Sequence, residues 1–73
     1  MRTLKDIKIG EECTVIKIIA VNPLKRRFMD MGITAGVKVL VQMEAPLSDP
    51  IAIRVRGYEL AIRRSDAALI IVA

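Results

Sequence analysis

Carboxylates and a single thiol are the side chains of this 73-residue chain that could most readily hold a metal ion, because it contains no histidine. The eight carboxylates are spread along the sequence, at Asp6, Glu11, Glu12, Asp30, Glu44, Asp49, Glu59 and Asp66. Transition-metal ions usually take His, Cys or carboxylate ligands that are gathered into one site. A scattered set without histidine therefore predicts no dedicated metal site and no bound cofactor. A soft set of Met29, Met31 and Met43 is the alternative, but Met31 and Met43 fit a core better.

Cys13 is the one candidate nucleophile, and it lies at the start of a stretch rich in β-branched residues. A buried free cysteine packs as a small hydrophobe, and we interpret Cys13 in this way. No histidine is present to act as a base, and no glycine-rich loop is present to hold a phosphate. A lone cysteine also excludes an internal disulfide and a CxxC zinc motif. We predict a protein without catalytic residues that is not an enzyme.

Basic residues outnumber acidic ones by 12 to 8, which gives a net charge of +4. The clustered ones are Lys25, Arg26, Arg27, Arg54, Arg56, Arg63 and Arg64. They could form an ordinary solvated surface, contact an acidic protein or lie near anionic lipid headgroups. Nucleic acid is the rival partner. However, proteins that bind single strands use aromatic stacking platforms, and this chain has only Phe28 and Tyr58, which argues against it.

A short helix follows Asn22. Asn22 is a good N-cap, Pro23 suits the first helical position, and Gly32 suits the end. Residues at i, i+4 and i+7 share one face, which predicts that Leu24, Phe28 and Met31 are structural. The opposite face leaves Lys25, Arg26 and Met29 for solvent or for a partner.

The rest of the chain reads as β-structure. Cys13 to Val21 is a strand whose alternation slips, which predicts either a bulge or a sharply bent strand. Val37 to Met43 alternates cleanly except at Leu40, which falls on the polar face. Ile51 to Val55 and Tyr58 to Ile62 form a hairpin around Arg56-Gly57, with the apolar residues of both strands on one face. Further core residues are expected at Val39, Val41, Ile53, Val55, Leu60 and Ile62. Turns are expected at Gly10, Gly32, Gly36 and Gly57.

Ser65 can cap a single helical turn, Asp66 to Ala68, and Leu69 to Val72 forms a last apolar strand. Five short strands in a chain of this length predict a mostly β protein, a small SH3-like barrel with one short helix between strands and a helical turn near the C-terminus.

We expect a single domain over residues 1–73. No signal peptide or membrane span is visible, which predicts a cytoplasmic protein without direct membrane insertion.

Three segments resemble the FeoA family: RRFMDMGITAG at Arg26 to Gly36, APLSDPI at Ala45 to Ile51, and LAIRRSDAALIIV at Leu60 to Val72. The resemblance implies a small cytoplasmic SH3-like accessory protein of FeoB, a membrane ferrous-iron transporter, and a location at the inner face of the membrane through that partner. Similar domains occur beside the DNA-binding domains of iron-dependent repressors. A stand-alone relative of those domains is therefore an alternative, as is a nucleic-acid-binding module.

We expect the partner to contact the Pro23 to Asp30 helix and the adjoining Ala45 to Pro50 loop. The candidate contact residues are Lys25, Arg26 and Met29 on the helix and Leu47 in the loop. Leu40 offers a second candidate surface on the outward face of its strand. Because apolar residues make up 53% of the chain, some aliphatic side chains must remain outside, and weak self-association is also expected.

Overall fold

The computed structural model describes residues 1–44 and 49–73, with Met43 and Glu44 described by their backbone alone. The strands are β1 (Arg2–Thr3), β2 (Glu12–Ile18), β3 (Lys38–Glu44), β4 (Ile51–Val55), β5 (Tyr58–Ile62) and β6 (Ile70–Val72). The helices are α1 (Leu24–Asp30) and α2 (Arg64–Ala67), and a 3₁₀ turn spans Leu4–Asp6. The prediction of a mostly β fold with one short helix and a late helical turn is confirmed.

The described strands form one antiparallel sheet in the order β1-β6-β2-β3-β4-β5. The sequence predicted five strands, and the sixth is the two-residue β1, in which Arg2 lies opposite Val72 and Thr3 opposite Ile71. This strand was not predicted because two residues are too few to show an alternating pattern. In the sheet, β1 and β5 occupy the two edges.

β2 bends the sheet because it changes partners along its length. Its first residues, Glu12 to Thr14, pair with β3, and its later residues, Val15 to Ile18, pair with β6. The register shifts between Val15 and Lys17, so the bulge, one of the two explanations of the slipped alternation, is present. The extra residue turns Ile16 to the outside, where half of its surface is exposed.

The β4–β5 hairpin has the predicted register, with Val55 opposite Tyr58 and Arg54 opposite Glu59. Arg56 and Gly57 both have positive φ, at 53° and 84°, which is the backbone of a type I′ turn. The Arg54 and Glu59 side chains approach to 3.7 Å, but both are exposed, and such pairs stabilise little. Tyr58 was expected on the apolar face, yet it is 74% exposed, because no described strand lies beyond β5 to cover it.

The core lies between the bent halves of the sheet. It contains the predicted residues Val39, Val41, Ile53, Val55 and Ile62, whereas Leu60 is half-buried and packs against it. Leu4, which begins the 3₁₀ turn, and Ile7, which follows it, are also buried. Ile70 to Val72 are buried throughout.

Two acidic side chains hold the N-terminal segment in place. Asp6 accepts a hydrogen bond from the Thr3 backbone N–H at 2.9 Å, which lowers the pKa of its carboxyl group. Glu11 accepts hydrogen bonds from the Arg2 guanidinium and from the Lys8 N–H, and these lower its pKa as well. Both carboxylates stabilise the fold above their unfolded pKa, and this contribution is lost as the pH falls through the folded values.

α2 receives its N-terminal cap from a distant residue. Ser65 was expected to cap this turn, but the helix begins at Arg64, and Ser65 lies inside it. The Asp49 Oδ1 atom instead accepts a hydrogen bond from the Arg64 N–H at 3.0 Å. A side-chain oxygen thereby satisfies one of the unpaired donors of the first turn, and it ties the end of the β3–β4 connection to α2.

Replacing Asp49 with Ala should lower the free energy of unfolding by roughly 0.5–2 kcal/mol, the usual cost of removing a capping side chain. Asp49→Asn is the matched control, because its amide oxygen can still accept the Arg64 N–H. Chemical denaturation followed by far-UV circular dichroism measures both variants. Equal stability of the Ala variant and the wild type would show that Asp49 does not stabilise α2.

Candidate partner-binding surface

Helix α1 begins one residue later than its sequence signals predict. The first helical residue is Leu24, and Pro23 occupies the N-cap after a cis Asn22–Pro23 peptide bond. Backbone carbonyls accept the first amide groups: the Lys25 N–H bonds to Val21 O and the Arg27 N–H to Pro23 O, both at 3.1 Å. The prediction that Asn22 is the N-cap is therefore wrong, because the proline itself stands at the junction.

The other end of α1 is closed by a Schellman motif. The Ile33 N–H bonds to Phe28 O at 2.9 Å, and the Gly32 N–H bonds to Met29 O at 3.0 Å. Gly32 has φ of 91°, a left-handed conformation that costs glycine little, and this motif commonly requires it. Phe28 and Ile33, the two apolar residues of the motif, are both buried in the core. The motif therefore determines where α1 ends and how it packs against the core.

One face of α1 is held by the core. Phe28 is 2% exposed, whereas Leu24 and Met31 are half-buried and pack against the core from its margin. Leu24 and Met31 are thus less enclosed than the predicted apolar stripe implied, because a helix of seven residues can insert only its central side chain deeply.

The opposite face is open. Lys25 and Arg26 are exposed, and Met29 is 49% exposed between them and the neighbouring β2. A groove of about 200 Å³ separates α1 from the end of β2. Its lining consists of Lys17, Ile18, Lys25, Met29, Thr34 and Ala35. We use the name α1–β2 surface for Lys17, Ile18, Lys25, Arg26 and Met29.

Lys17 and Ile18 were not among the predicted contact residues. The signal that could have found them is the slip in alternation after Val15, because a bulge turns the following residues of a strand to a new face. The same segment leaves Ile19 and Val21 exposed. The segment between β2 and α1 therefore adds exposed apolar side chains next to the groove.

The α1–β2 surface carries three cations that form no ion pair among the described residues. Within residues 1–44 and 49–73, the ion pairs are Arg2–Glu11 and Arg54–Glu59, and neither includes Lys17, Lys25 or Arg26. Asp30, at the end of α1, lines the outer side of the helix with Lys25 and Arg26. The surface therefore combines a flexible apolar centre with a basic rim.

The remaining predicted contact residues lie elsewhere. Leu40 is half-buried on β3, between Glu12 of β2 and Arg54 of β4, and it does not line the groove. Leu47 lies outside the described residues, as does most of the Ala45 to Pro50 loop. The structure thus brings Lys25, Arg26 and Met29 together and leaves Leu40 apart from them.

Cys13 is enclosed in the core. It is 4% exposed, and burial raises the pKa of its thiol, which disfavours the reactive thiolate. Among the described residues, no three His, Cys, Asp or Glu side chains come together in a metal-binding group. The expected absence of a metal site or cofactor remains a prediction.

No described helix has the length and apolar character needed to cross a bilayer.

Comparison with known proteins identifies the family. The model of the FeoA domain matches residues 2–73. The chain belongs to the FeoA family. It is 30% identical over 67 residues to a fusion of Fe(2+) transport protein A with the Fe(2+) transporter FeoB from Porphyromonas gingivalis. That match covers 92% of this chain and 8% of the fusion protein, so the chain spans a small part of that relative's length.

Solved structures agree with the family assignment. The NMR structure of a FeoA-like protein from Clostridium acetobutylicum is 39% identical, with a TM-score of 0.90 over 97% of this chain and 83% of that protein. The crystal structure of a zinc-complexed FeoA from Stenotrophomonas maltophilia, an SH3 domain protein, has a TM-score of 0.87 at 22% identity. That likeness covers 100% of this chain and 91% of the other, and it supports the SH3-like fold alone.

The position of Phe28 predicts a sharp contrast between two substitutions. Phe28→Ala should destabilise the domain by about 3–5 kcal/mol, the usual cost of removing a buried aromatic ring. This loss is comparable to the whole stability of many small domains, so the variant should be largely unfolded. Phe28→Leu keeps most of the apolar volume and should remain folded. Thermal unfolding by circular dichroism distinguishes them, and a fully folded Ala variant would show that α1 does not need this anchor.

Proposed function

We propose that this protein is a non-enzymatic accessory of ferrous-iron uptake, which acts on the cytoplasmic side of the membrane by binding a FeoB-type transporter through the α1–β2 surface. The observation that carries the proposal is the fused arrangement in the Porphyromonas gingivalis relative, where a segment similar to this chain is covalently joined to FeoB. A domain and a transporter that occur in one polypeptide are expected to work in contact when they are separate chains.

The chemistry of the α1–β2 surface supports this role. Met29 is unbranched and adapts its shape to irregular partner surfaces. Lys25 and Arg26, next to it, are free to pair with carboxylates of a partner, since neither has an ion pair among the described residues. Such a surface fits an acidic region with an apolar centre, and rim charges of this kind chiefly raise the association rate.

The arrangement of aromatic residues counts against the nucleic-acid alternative. Phe28 is enclosed in the core, and Tyr58 lies on β5 rather than beside the basic residues of α1. A single exposed ring is a poor platform for successive bases. The basic surface is better suited to protein carboxylates than to a stacked strand.

Reversing the character of the surface should weaken transporter binding. Arg26→Glu combined with Met29→Glu should lower the affinity for the purified cytoplasmic portion of the transporter about tenfold or more, because it introduces like charges and buries a carboxylate. The matched control is Lys38→Glu combined with Ile9→Glu, which makes the same exchange at exposed positions on other elements. Isothermal titration calorimetry measures affinity, and far-UV spectra and melting temperatures check folding.

Undiminished binding by the folded Arg26 and Met29 variant would rule out the α1–β2 surface, and the face that carries Leu40 would become the next candidate. Absence of binding by the wild type would contradict the proposed function itself. In cells that depend on this transporter, the same variant should reduce ferrous-iron accumulation under iron limitation, whereas the control variant should not.

Nucleic acid provides a separate test of the class of partner. Fluorescence anisotropy with single-stranded RNA should show no binding in the micromolar range at low salt. A nucleic-acid-binding protein would show such affinity and would lose it steeply as the salt concentration rises. In the transporter-binding assay, added RNA should not compete. Salt-sensitive micromolar RNA binding together with competition would favour the alternative.

A further inference from the structure

Strand β5 is an edge with unused backbone hydrogen-bonding groups. The two-residue turn fixes its register, so Val55 with Tyr58 and Ile53 with Leu60 exchange backbone hydrogen bonds. In an antiparallel ladder the intervening residues direct their N–H and C=O groups away from the partner strand. Those residues are Glu59 and Ala61, and both are exposed.

β5 lacks two of the usual features that protect an edge, a bulge and a proline. All five of its residues pair with β4 without a register shift, and it contains no proline. The opposite edge, β1, is two residues long, which is itself a protection. A groove of about 150 Å³ separates Leu24 and Arg27 of α1 from Ala61 and Arg63, so the helix does not close over the end of β5.

We propose that two copies of this chain associate by antiparallel pairing of their β5 strands, with the two Leu60 residues facing each other across the twofold axis. In this register Glu59 of each copy lies opposite Ala61 of the other. The outward N–H and C=O groups of both residues then form about four new backbone hydrogen bonds. The two sheets become one continuous sheet.

The charges of β5 are complementary to themselves in this register. Arg63 is exposed and keeps an extended backbone, with φ of −69° and ψ of 146°, so it continues the face that carries Glu59 and Ala61. Glu59 of one copy thus has two diagonal neighbours on the second copy, Arg63 and Glu59, and its long side chain can turn towards the oppositely charged Arg63. Gly57 stands opposite Arg63 and has no side chain to obstruct it. Each Glu59 then lies between Arg54 of its own chain and the arginine of the other copy.

The other face of the paired strands explains the exposure of Tyr58. In the dimer, Tyr58 lies opposite the second copy's Ile62 and diagonally across from its Leu60. A ring that is 74% exposed and a half-buried leucine would both lose contact with water. Cross-strand aromatic and aliphatic pairs of this kind stabilise a sheet.

The contact is small, so the dimer should be weak. One strand edge buries less than the roughly 1,200–2,000 Å² of stable interfaces, and we expect a dissociation constant on the order of 0.1–1 mM. None of the residues of the α1–β2 surface takes part. The pairing therefore uses a set of residues separate from the α1–β2 surface.

A charge-exchange cycle tests this register. Glu59→Arg and Arg63→Glu each place like charges across the interface and should weaken association about tenfold, which corresponds to about 1.4 kcal/mol. The combined Glu59→Arg and Arg63→Glu variant restores opposite charges and should associate nearly as well as the wild type. Sedimentation equilibrium of the 73-residue chain, measured up to about 1 mM, gives the constants. Melting temperatures confirm that each variant is folded.

A second experiment tests whether the backbone hydrogen bonds of β5 are needed for association. Ala61→Pro removes an N–H that the β4–β5 pairing does not use, and proline is tolerated on edge strands. This variant should remain folded and lose association, while amide exchange at Glu59 and Ala61 in the wild type should slow as concentration rises. A wild type that is monomeric throughout, an unaltered constant in the folded Ala61→Pro variant, or no restoration in the charge-exchanged variant would overturn the proposal.

Discussion

The short helix depends on burying one aromatic ring. A helix of seven residues is too short to persist in water by its own hydrogen bonds. The enclosure of Phe28, with Ile33 packed into the same core through the turn at Gly32, supplies the stabilisation that the helix lacks. The direction of α1, its distance from β2 and the outward position of Met29 all follow from where that ring is seated. The surface proposed to contact a transporter is therefore positioned by Phe28, a residue that is itself buried.

The groove beside α1 has a second origin in the sheet. The bulge in β2 lets one strand serve two neighbours, first β3 and then β6. It also rotates the strand, so that Lys17 and Ile18 come to lie beside the open face of α1. A continuous, unbent β2 would place these side chains on a different face. A local irregularity in a strand thus builds a surface that neither the helix nor a regular sheet would provide alone.

Local signals in the sequence were sufficient for most of the fold. Turn residues predicted the hairpin register to the residue, and the slipped alternation predicted the bulge. The failures involve information from elsewhere in the chain. Ser65 was predicted to cap α2, but the side chain that accepts a hydrogen bond from the first amide of this helix, Asp49, comes from a separate loop. Tyr58 follows an apolar pattern, yet its exposure depends on β5 being an edge, which sheet order decides.

The same limit applies to the candidate surface. The helical face of Lys25, Arg26 and Met29 could be derived from spacing alone. For its neighbours on β2, Lys17 and Ile18, the sequence offers only the slip in alternation after Val15, because these residues approach α1 only after the strand has bent. Leu40 shows the converse: its position on a polar phase suggested an exposed aliphatic, but Glu12 and Arg54 flank it across the sheet.

The place of β6 in the sheet bears on the order of folding. This strand is the last in sequence, but it lies between β1 and the second half of β2, and Ala73 donates a hydrogen bond to Thr14 O at 2.9 Å. Closing these contacts joins segments separated by more than fifty residues, and ordering such a loop is entropically slow. The strands β2 to β5 are neighbours both in the sequence and in the sheet, whereas the second half of β2 is paired only by β6. Among the described strands, the pairings of β6 with β1 and β2 close the longest loops, so we expect them to form last.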